Sequence, residues 1–268
     1  MARPLISEEL WNLIAPHLPP ERPKYRGRKP VPHRKALTGI LFVLRTGIPW
    51  EDLPGELGCG CGMTCWRRLR DWQQAGVWER ILKVLQDELG SKGEIDWSRA
   101  SLDASSVRAL QGGAATGPNP TDRAKAGSKH HVIVDRRGIP LAAPKLTTAN
   151  EHDSQQFGNL LDSIRPIRRP RGRPRRRPAK LHADKAYDSR HSRIACRVRG
   201  IRPRIARRGI ESSTRLGRYR WVVERTFAWL HRFRRLAVRY ERRADIHQGF
   251  LTLGAIMICW NFLRHTFC

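Results

Sequence analysis

The chain has 268 residues, with 52 Lys+Arg against 24 Asp+Glu, a formal charge of +28. That length suits one large domain or two smaller ones, and 40% apolar residues exclude disorder along the whole chain. Arginine supplies 42 of the cations and lysine 10. Arginine pairs bidentately with phosphate, so the indicated partner is a polyanion, nucleic acid first; charge by itself names no reaction, since ribosomal and packaging proteins are as basic.

The opening stretch, Met1 to Glu9, lacks an apolar run of signal-peptide length, so no export is expected. The longest apolar stretch, Gly249 to Leu263, is short for a membrane span and reads as a buried helix, so no membrane partner is expected either. Cys59, Cys61 and Cys65 cluster without a nearby fourth ligand, which favours reduced thiols in a cytoplasmic protein over a zinc site.

Residues 6 to 95 carry helical spacing. Ser7 followed by Glu8 and Glu9 starts a helix whose face is Leu10, Leu13, Ile14 and Leu18. A basic turn, Arg22 to Arg34, leads to a second helix with Leu37, Ile40, Leu41, Val43 and Leu44, ending near Gly47. Met63 to Gln74 makes a third, with Trp66, Leu69 and Trp72 beside Arg67, Arg68 and Arg70, and Val77 to Leu89 a fourth. Short basic amphipathic helices with glycine turns fit a helix-turn-helix DNA-binding module, and they also fit an ordinary bundle with solvated arginines.

Beyond Gly93 the pattern changes to strands at Ala100–Val107, His131–Asp135 and Pro140–Leu146. A helix follows at about Asp153–Ile164, a strand at Lys180–Asp184, a helix at about Ser189–Val198 and a strand at Ile201–Ala206. Two helices, about Tyr219–Leu236 and Ile246–His265, end the chain. This order predicts an α/β mixed sheet flanked by helices, preceded by the all-α region, with a division into residues 1–95 and 96–268.

Arg165 to Arg177 holds eight arginines, four prolines or glycines and no acid, so an exposed loop is expected over about 165–179. Pro170-Arg171-Gly172-Arg173-Pro174 resembles an AT-hook, which lays arginines in a narrow minor groove. Such strings arise easily in an arginine-rich chain; the expectation for Arg171 and Arg173 is a basic loop that touches DNA phosphates.

Three acids stand out against this background. Asp103, in Ser-Leu-Asp-Ala-Ser-Ser-Val, alternates with Leu102 and Ala104 on a strand, and Asp184 closes the strand Lys180–Asp184. Ligand sites in α/β sheets form at strand ends, although a lone strand-end Asp is often just a cap. Glu224 lies at the edge of a helical face made by Val223, Phe227, Leu230 and Phe233, one turn after Arg220, with which it could also form a simple i,i+4 pair. Two Asp and one Glu from separate elements can hold a pair of Mg²⁺ ions for in-line displacement at phosphorus.

Four stretches make a specific resemblance: Gly47 to Pro54, Leu102 to Ala109, Leu181 to Asp188 and Arg220 to Leu230. Across nearly its whole length the chain resembles an insertion-sequence transposase of the Asp-Asp-Glu (DDE) superfamily, in the IS-five-like group. The resemblance implies a ribonuclease-H-like catalytic core, an N-terminal module that reads the element's ends, and Asp103, Asp184 and Glu224 as the metal-binding triad. It also implies two Mg²⁺ ions, for which Mn²⁺ can substitute, duplex DNA of the terminal inverted repeats and target, and a homodimer or larger assembly on DNA. The superfamily's Tyr-x₂-Arg-x₃-Glu-x₆-Lys signature keeps Arg220 and Glu224, but Gly217 stands at the tyrosine place and His231 at the lysine place, with Tyr219 and Arg232 close by. Arg220 and Arg232 are therefore expected at DNA, as is Lys129, which with His130 and His131 should precede the second strand. His152-Asp153 is expected to start a helix, and Trp221 and Trp229 to pack in the core rather than stack on a base. The rival readings are a non-enzymatic or inactive DNA-binding protein, and a structure-specific nuclease on the same core.

Overall fold

The computed structural model describes residues 4–21, 29–207, 209 and 213–266, with only the backbone of 213–219 and 265–266. Most of the expected basic turn, residues 22–28, therefore lies outside the described residues, and its end, His33 and Arg34, already belongs to a helix.

Four helices open the chain: α1 (Glu8–Ile14), α2 (His33–Thr46), α3 (Gly62–Gln74) and α4 (Val77–Ser91). The Ser7 hydroxyl accepts the Leu10 amide at 3.3 Å and so caps α1. Gly47 ends α2 at φ +80°, its amide returning to the Val43 carbonyl, a conformation that favours glycine. Each longer helix buries one apolar stripe: Leu37, Ile40, Leu41 and Leu44 on α2, Leu69 and Trp72 on α3, Trp78, Ile81, Leu82, Leu85 and Leu89 on α4.

Six strands follow among the described residues: β1 (Ala100–Arg108), β2 (Gly117–Pro118), β3 (Ala126–Asp135), β4 (Lys145–Thr148), β5 (Lys180–Ala183) and β6 (Arg202–Ile205). The sheet runs β4-β3-β1-β5-β6, and β2 pairs with the start of β3. β3 runs antiparallel to both of its neighbours, β1 and β4, while β5 and β6 run parallel to β1. Three antiparallel strands extended by two parallel ones, with helices packed against them, is a ribonuclease-H-like mixed sheet.

Two strands lie well away from their expected bounds. The second strand begins at Ala126, five residues early, because Gly127 to His130 pair with β1 on one side and with β2 or β4 on the other, although they are not an apolar run. The third strand is Lys145–Thr148 rather than Pro140–Leu146; Pro140 and Pro144 have no N–H for the ladder, and Pro140 forms only an isolated bridge to Val134.

The 3-10 turn Asp153–Gln156 runs into α5 (Phe157–Asp162), and α6 (Arg190–Val198) starts at a Ser189 cap. The expected helix over Tyr219–Leu236 is two helices, α7 (Ser213–His231) and α8 (Arg234–Ala237), broken where Phe233 is extended. α9 (Ala244–Thr266) is long and apolar enough to cross a membrane, but 78% of its apolar window is buried inside the protein. It packs on α3, α4, α7 and α8 and reaches β4, so one buried cluster runs from Ile6 to Leu263.

Buried polar groups fasten this core. Arg239 is fully enclosed, and its guanidinium donates to the carbonyls of Ala114, Ala115, Glu241 and Arg242 and to the Ser128 hydroxyl. Arg235 pairs with Glu241 at 2.9 Å, Glu241 accepts from His247 Nδ1 at 3.0 Å, and His247 Nε2 meets His130 Nε2 at 2.9 Å. Asp135 accepts the amides of Asp96, Arg137 and Ile139 at the end of β3.

Burial holds five histidines below the usual imidazole range: His131 and His182 down to about 4, with His130, His231 and His247 moved the same way. Unfolding lets them take up protons from pH 6.5 downward, so each contributes stability above 6.5 that is lost as pH falls. Burial raises Asp103 and Asp135 to about 6, and these two act in the opposite sense over the same window. The histidines outnumber them, so urea midpoints should fall steadily from pH 6.5 to pH 4. His131→Gln should flatten that slope by up to about 3 kcal/mol over the window; a midpoint that rises on acidification contradicts the assignment.

Candidate active site

The parallel ladder between β1 and β5 pairs Ala100 with Leu181 and Ser101 with His182. Two residues further along each chain come Asp103 and Asp184, so the shared register sets both carboxylates at one level of neighbouring strands. Leu102, Leu181 and Ala183 are buried and fix the pleat on either side. At Asp184 the strand stops, and the carboxylate caps the 3-10 turn Lys185–Tyr187, with Oδ1 accepting the Ala186 amide at 2.8 Å.

Asp103 accepts its neighbour Ala104's amide on Oδ1 at 2.9 Å and Arg220 Nη2 on Oδ2 at 3.0 Å. Burial is the main cause of its raised pKa, about 6; Arg220 and the Ala104 amide pull it down, and the charge of Asp184 pushes it up again. Arg220 lies on α7, which packs across β1, β3 and β5 because Val222, Val223, Phe227 and Leu230 are buried.

Tyr187 was not anticipated by the sequence reading. It is fully buried, its ring lies 5.7 Å from that of Phe157, and its hydroxyl has no hydrogen-bond partner among the described residues. Burial, together with the negative charges of Asp103, Asp153 and Asp184, pushes its phenol well above the usual range, so it remains a neutral donor among carboxylates. Its only sequence signal is its position three residues after Asp184.

The structure brings together Asp103, Asp184 and Arg220. Glu224 stands one turn beyond Arg220 on α7 and is exposed. No hydrogen bond or ion pair joins it to either aspartate among the described residues, where no three carboxylate, imidazole or thiol groups lie close enough to share a metal ion. Two aspartates at one level, one with a pKa raised by burial and its neighbour's charge, and an unpartnered phenol beside them are conditions that a divalent cation and its bound water would relieve. On that observation the pair fits a metal.

Lys129 does not fit the expectation of a DNA contact. It lies within β3, and its ammonium donates to the Glu151 carbonyl at 2.7 Å and pairs with Asp153 at 2.8 Å. His130 and His131 are likewise inside the strand and fully buried. His152, rather than Asp153, caps the following turn. Trp229 is half-buried against Phe262, but Trp221 is 48% exposed, with Arg225 4.5 Å over its ring. Arg232, Arg171 and Arg173 are exposed, and the side chain of Tyr219 lies outside the described residues.

A ribonuclease-H-like sheet with one aspartate inside β1, a second at the end of β5 and an arginine beside them is an arrangement suited to cutting and joining phosphodiesters. Residues 98–262 match the family described as "Transposase DDE domain", and residues 6–82 match "Putative transposase of IS4/5 family". The chain is 59% identical over 149 residues to the "Putative transposase for insertion sequence element IS402" of Burkholderia cepacia, covering 56% of this chain and 70% of that protein. It is 30% identical over 137 residues to the corresponding protein of element IS6501 of Brucella ovis, covering 49% and 96%. The crystal structure of the Mos1 strand transfer complex is a distant likeness, with TM-score 0.33 and 12% identity over 90% of this chain and 79% of that one. The chain belongs to the DDE transposases of the IS4/5 family, enzymes that cut and transfer DNA strands.

Arg220 is the cation paired with Asp103 among the described residues, and its removal has a defined sign. In Arg220→Gln the Asp103 carboxyl should titrate above its present value of about 6, because the charged form loses its partner. Carboxyl-carbon NMR across pH 4 to 8 measures this; an unchanged or lowered midpoint would show that the ion pair does not set the carboxyl's charge.

Proposed function

We propose that this transposase cuts the ends of an insertion sequence and joins them to target DNA, with Asp103, Asp184 and Glu224 as its catalytic carboxylates. The observation that carries the reading is the level placement of Asp103 and Asp184 by the β1–β5 register. The two aspartates would hold divalent magnesium, two ions with manganese able to replace them, and Glu224 is the third carboxylate. When bound, the metal supplies an activated water and stabilises the leaving oxygen at phosphorus. Hydrolysis frees a 3′-hydroxyl, which then attacks the target phosphodiester by the same in-line geometry.

The chain's own residues carry the remaining tasks. At neutral pH Asp103 is mainly ionised, since its pKa is about 6, and Arg220 keeps it oriented until a stronger cation arrives. Tyr187 offers an O–H to groups that enter between the aspartates. Arg232, Arg171 and Arg173, exposed and without carboxylate partners among the described residues, are available to DNA, and the N-terminal helices 1–95 read the terminal inverted repeats. Two ends must be processed together, so the working form is a dimer or larger assembly on DNA, and it acts in the cytoplasm with the chromosome.

Nicking and strand transfer on a duplex carrying the element's own inverted repeat test the reading. Asp103→Ala, Asp184→Ala and Glu224→Ala should each lower magnesium-dependent nicking by at least about 10³-fold and leave end binding within a few-fold in gel shifts. Nicking that survives one of the three removes that residue from the triad. End binding should weaken about 10³–10⁵-fold between 50 and 200 mM salt if six or more phosphates are contacted; a flat salt response contradicts the partner.

A further inference from the structure

The segment Arg165–Arg177 is more ordered than a solvated basic loop. Ile167, fully buried, and Arg175 exchange both backbone hydrogen bonds at 2.8 Å, which closes residues 168–174 into a hairpin. Its base is fastened to the body. The Arg168 amide donates to Asp87 Oδ1 at 2.9 Å, and Gly90 of α4 lies so close that a Cβ there would sit 2.2 Å from the Arg168 carbonyl oxygen. The Arg175 guanidinium rests 5.7 Å from the Trp97 ring centroid.

Beyond that base Pro170 lies over Gly93, and the tip that follows it is open to solvent. Residues 168–174 are all exposed. At the tip, Arg171 and Arg173 flank Gly172, which has φ +83° and no atom within 4 Å of where a Cβ would stand. Pro170 and Pro174 bracket the three and limit the conformations available to them. No carboxylate lies within ion-pair distance of Arg169, Arg171 or Arg173 among the described residues, whereas nearby Arg165 is paired with Glu79 at 2.6 Å. A protein that neutralises Arg220, Arg235 and Arg193 with acids leaves this tip uncompensated.

A proline-bracketed tip that presents two guanidinium groups with no side chain between them suits a slot about 6 Å wide, the B-DNA minor groove. The groove is narrowest and most negative over A·T tracts, and guanidinium sheds water more readily than ammonium on entering it. The wide, shallow minor groove of RNA offers no such slot.

We propose that hairpin 168–174 reads the minor groove of A·T-rich duplex DNA, with Arg171 and Arg173 in the groove and Arg169 on a flanking phosphate. The inference deepens the transposase reading and rests on it for the presence of duplex DNA. The hairpin leads through Ala179 into the start of β5, whereas Asp184 follows the end of that strand, about 15 Å away along the strand. The base pairs it reads are therefore offset from the phosphate that is cut.

Fluorescence anisotropy with the full chain tests this, using 20-bp duplexes of A·T tract and of G·C sequence. The wild type should prefer the A·T duplex by about tenfold, and a minor-groove-binding polyamide should displace it. Arg171→Lys/Arg173→Lys keeps every charge, so the slope of log affinity against log salt should stay the same while the preference disappears. Both substitutions lie on the exposed tip, and circular dichroism confirms that the fold is intact. Equal wild-type affinity for the two duplexes, or a preference that survives the double lysine variant, overturns the proposal and leaves a phosphate contact only. Wild type that nicks element ends but ignores A·T content refutes the hairpin alone; wild type with the preference that never nicks in any divalent metal refutes the catalytic reading alone.

Discussion

The β1–β5 ladder is the constraint on which the site depends. Its ladder pairs are Ala100–Leu181 and Ser101–His182, and they fix which residue of each strand faces which. A slip of one residue would move Asp103 out of step with Asp184 and turn one of them to the other face. β1 is held on its other side by nine antiparallel pairs to β3, so the register is anchored where the sheet is strongest. β5 has only four residues, but β6 flanks it along its whole length. The like charges that this brings together are partly offset by Arg220, and α7 can deliver that guanidinium only because its apolar face is seated on the sheet.

Arginine does two different jobs in this chain, and net charge does not separate them. Arg239 spends its guanidinium on carbonyls in the interior, and Arg235 satisfies Glu241 and the Ile48 carbonyl. Arg199 and Arg193 pair with Asp162 and Asp188. These side chains are cross-braces; breaking the buried Arg235–Glu241 pair would cost about 3–5 kcal/mol, whereas the exposed Arg199–Asp162 pair contributes little. The field available to a polyanion comes from those without acid partners, and the hairpin tip concentrates three of them.

Legible in the sequence were five of the six described strands in chain order, three of the four N-terminal helices almost to their ends, and an aspartate on each of the strands β1 and β5 or at its end. Those features have local signals: period-3.6 stripes, glycine stops, and an acid closing an apolar strand. What it missed depended on long-range contacts. Lys129 looked like a free cation because Glu151 and Asp153 are 22 and 24 residues away, and only the β3–β4 pairing brings them to its ammonium. His130 and His131, expected ahead of the second strand, lie inside it for the same reason, enclosed by the sheet and His247. Tyr187 reads as one more aromatic in a turn; its isolation among three acids exists only after the Asp153 and Lys185 turns pack together. The break after His231 follows from Phe233 turning extended, which no proline or glycine announces.

The helical N-terminal region and the sheet do not meet at a simple linker. α9, from the far end of the chain, lies against α3 and α4 on one side and reaches β4 on the other. Trp50 stacks on Phe250 at 5.7 Å, Gln86 donates to the Pro140 carbonyl at 2.9 Å, and Arg235 donates to the Ile48 carbonyl. Apolar contact and directional bonds together oppose hinge motion at that junction. A DNA surface on those helices would then stand at a fixed distance from Asp103 and Asp184. Where the strand is cut relative to the sequence that is read would be set by the packing of α9, and not by the reach of a flexible tether.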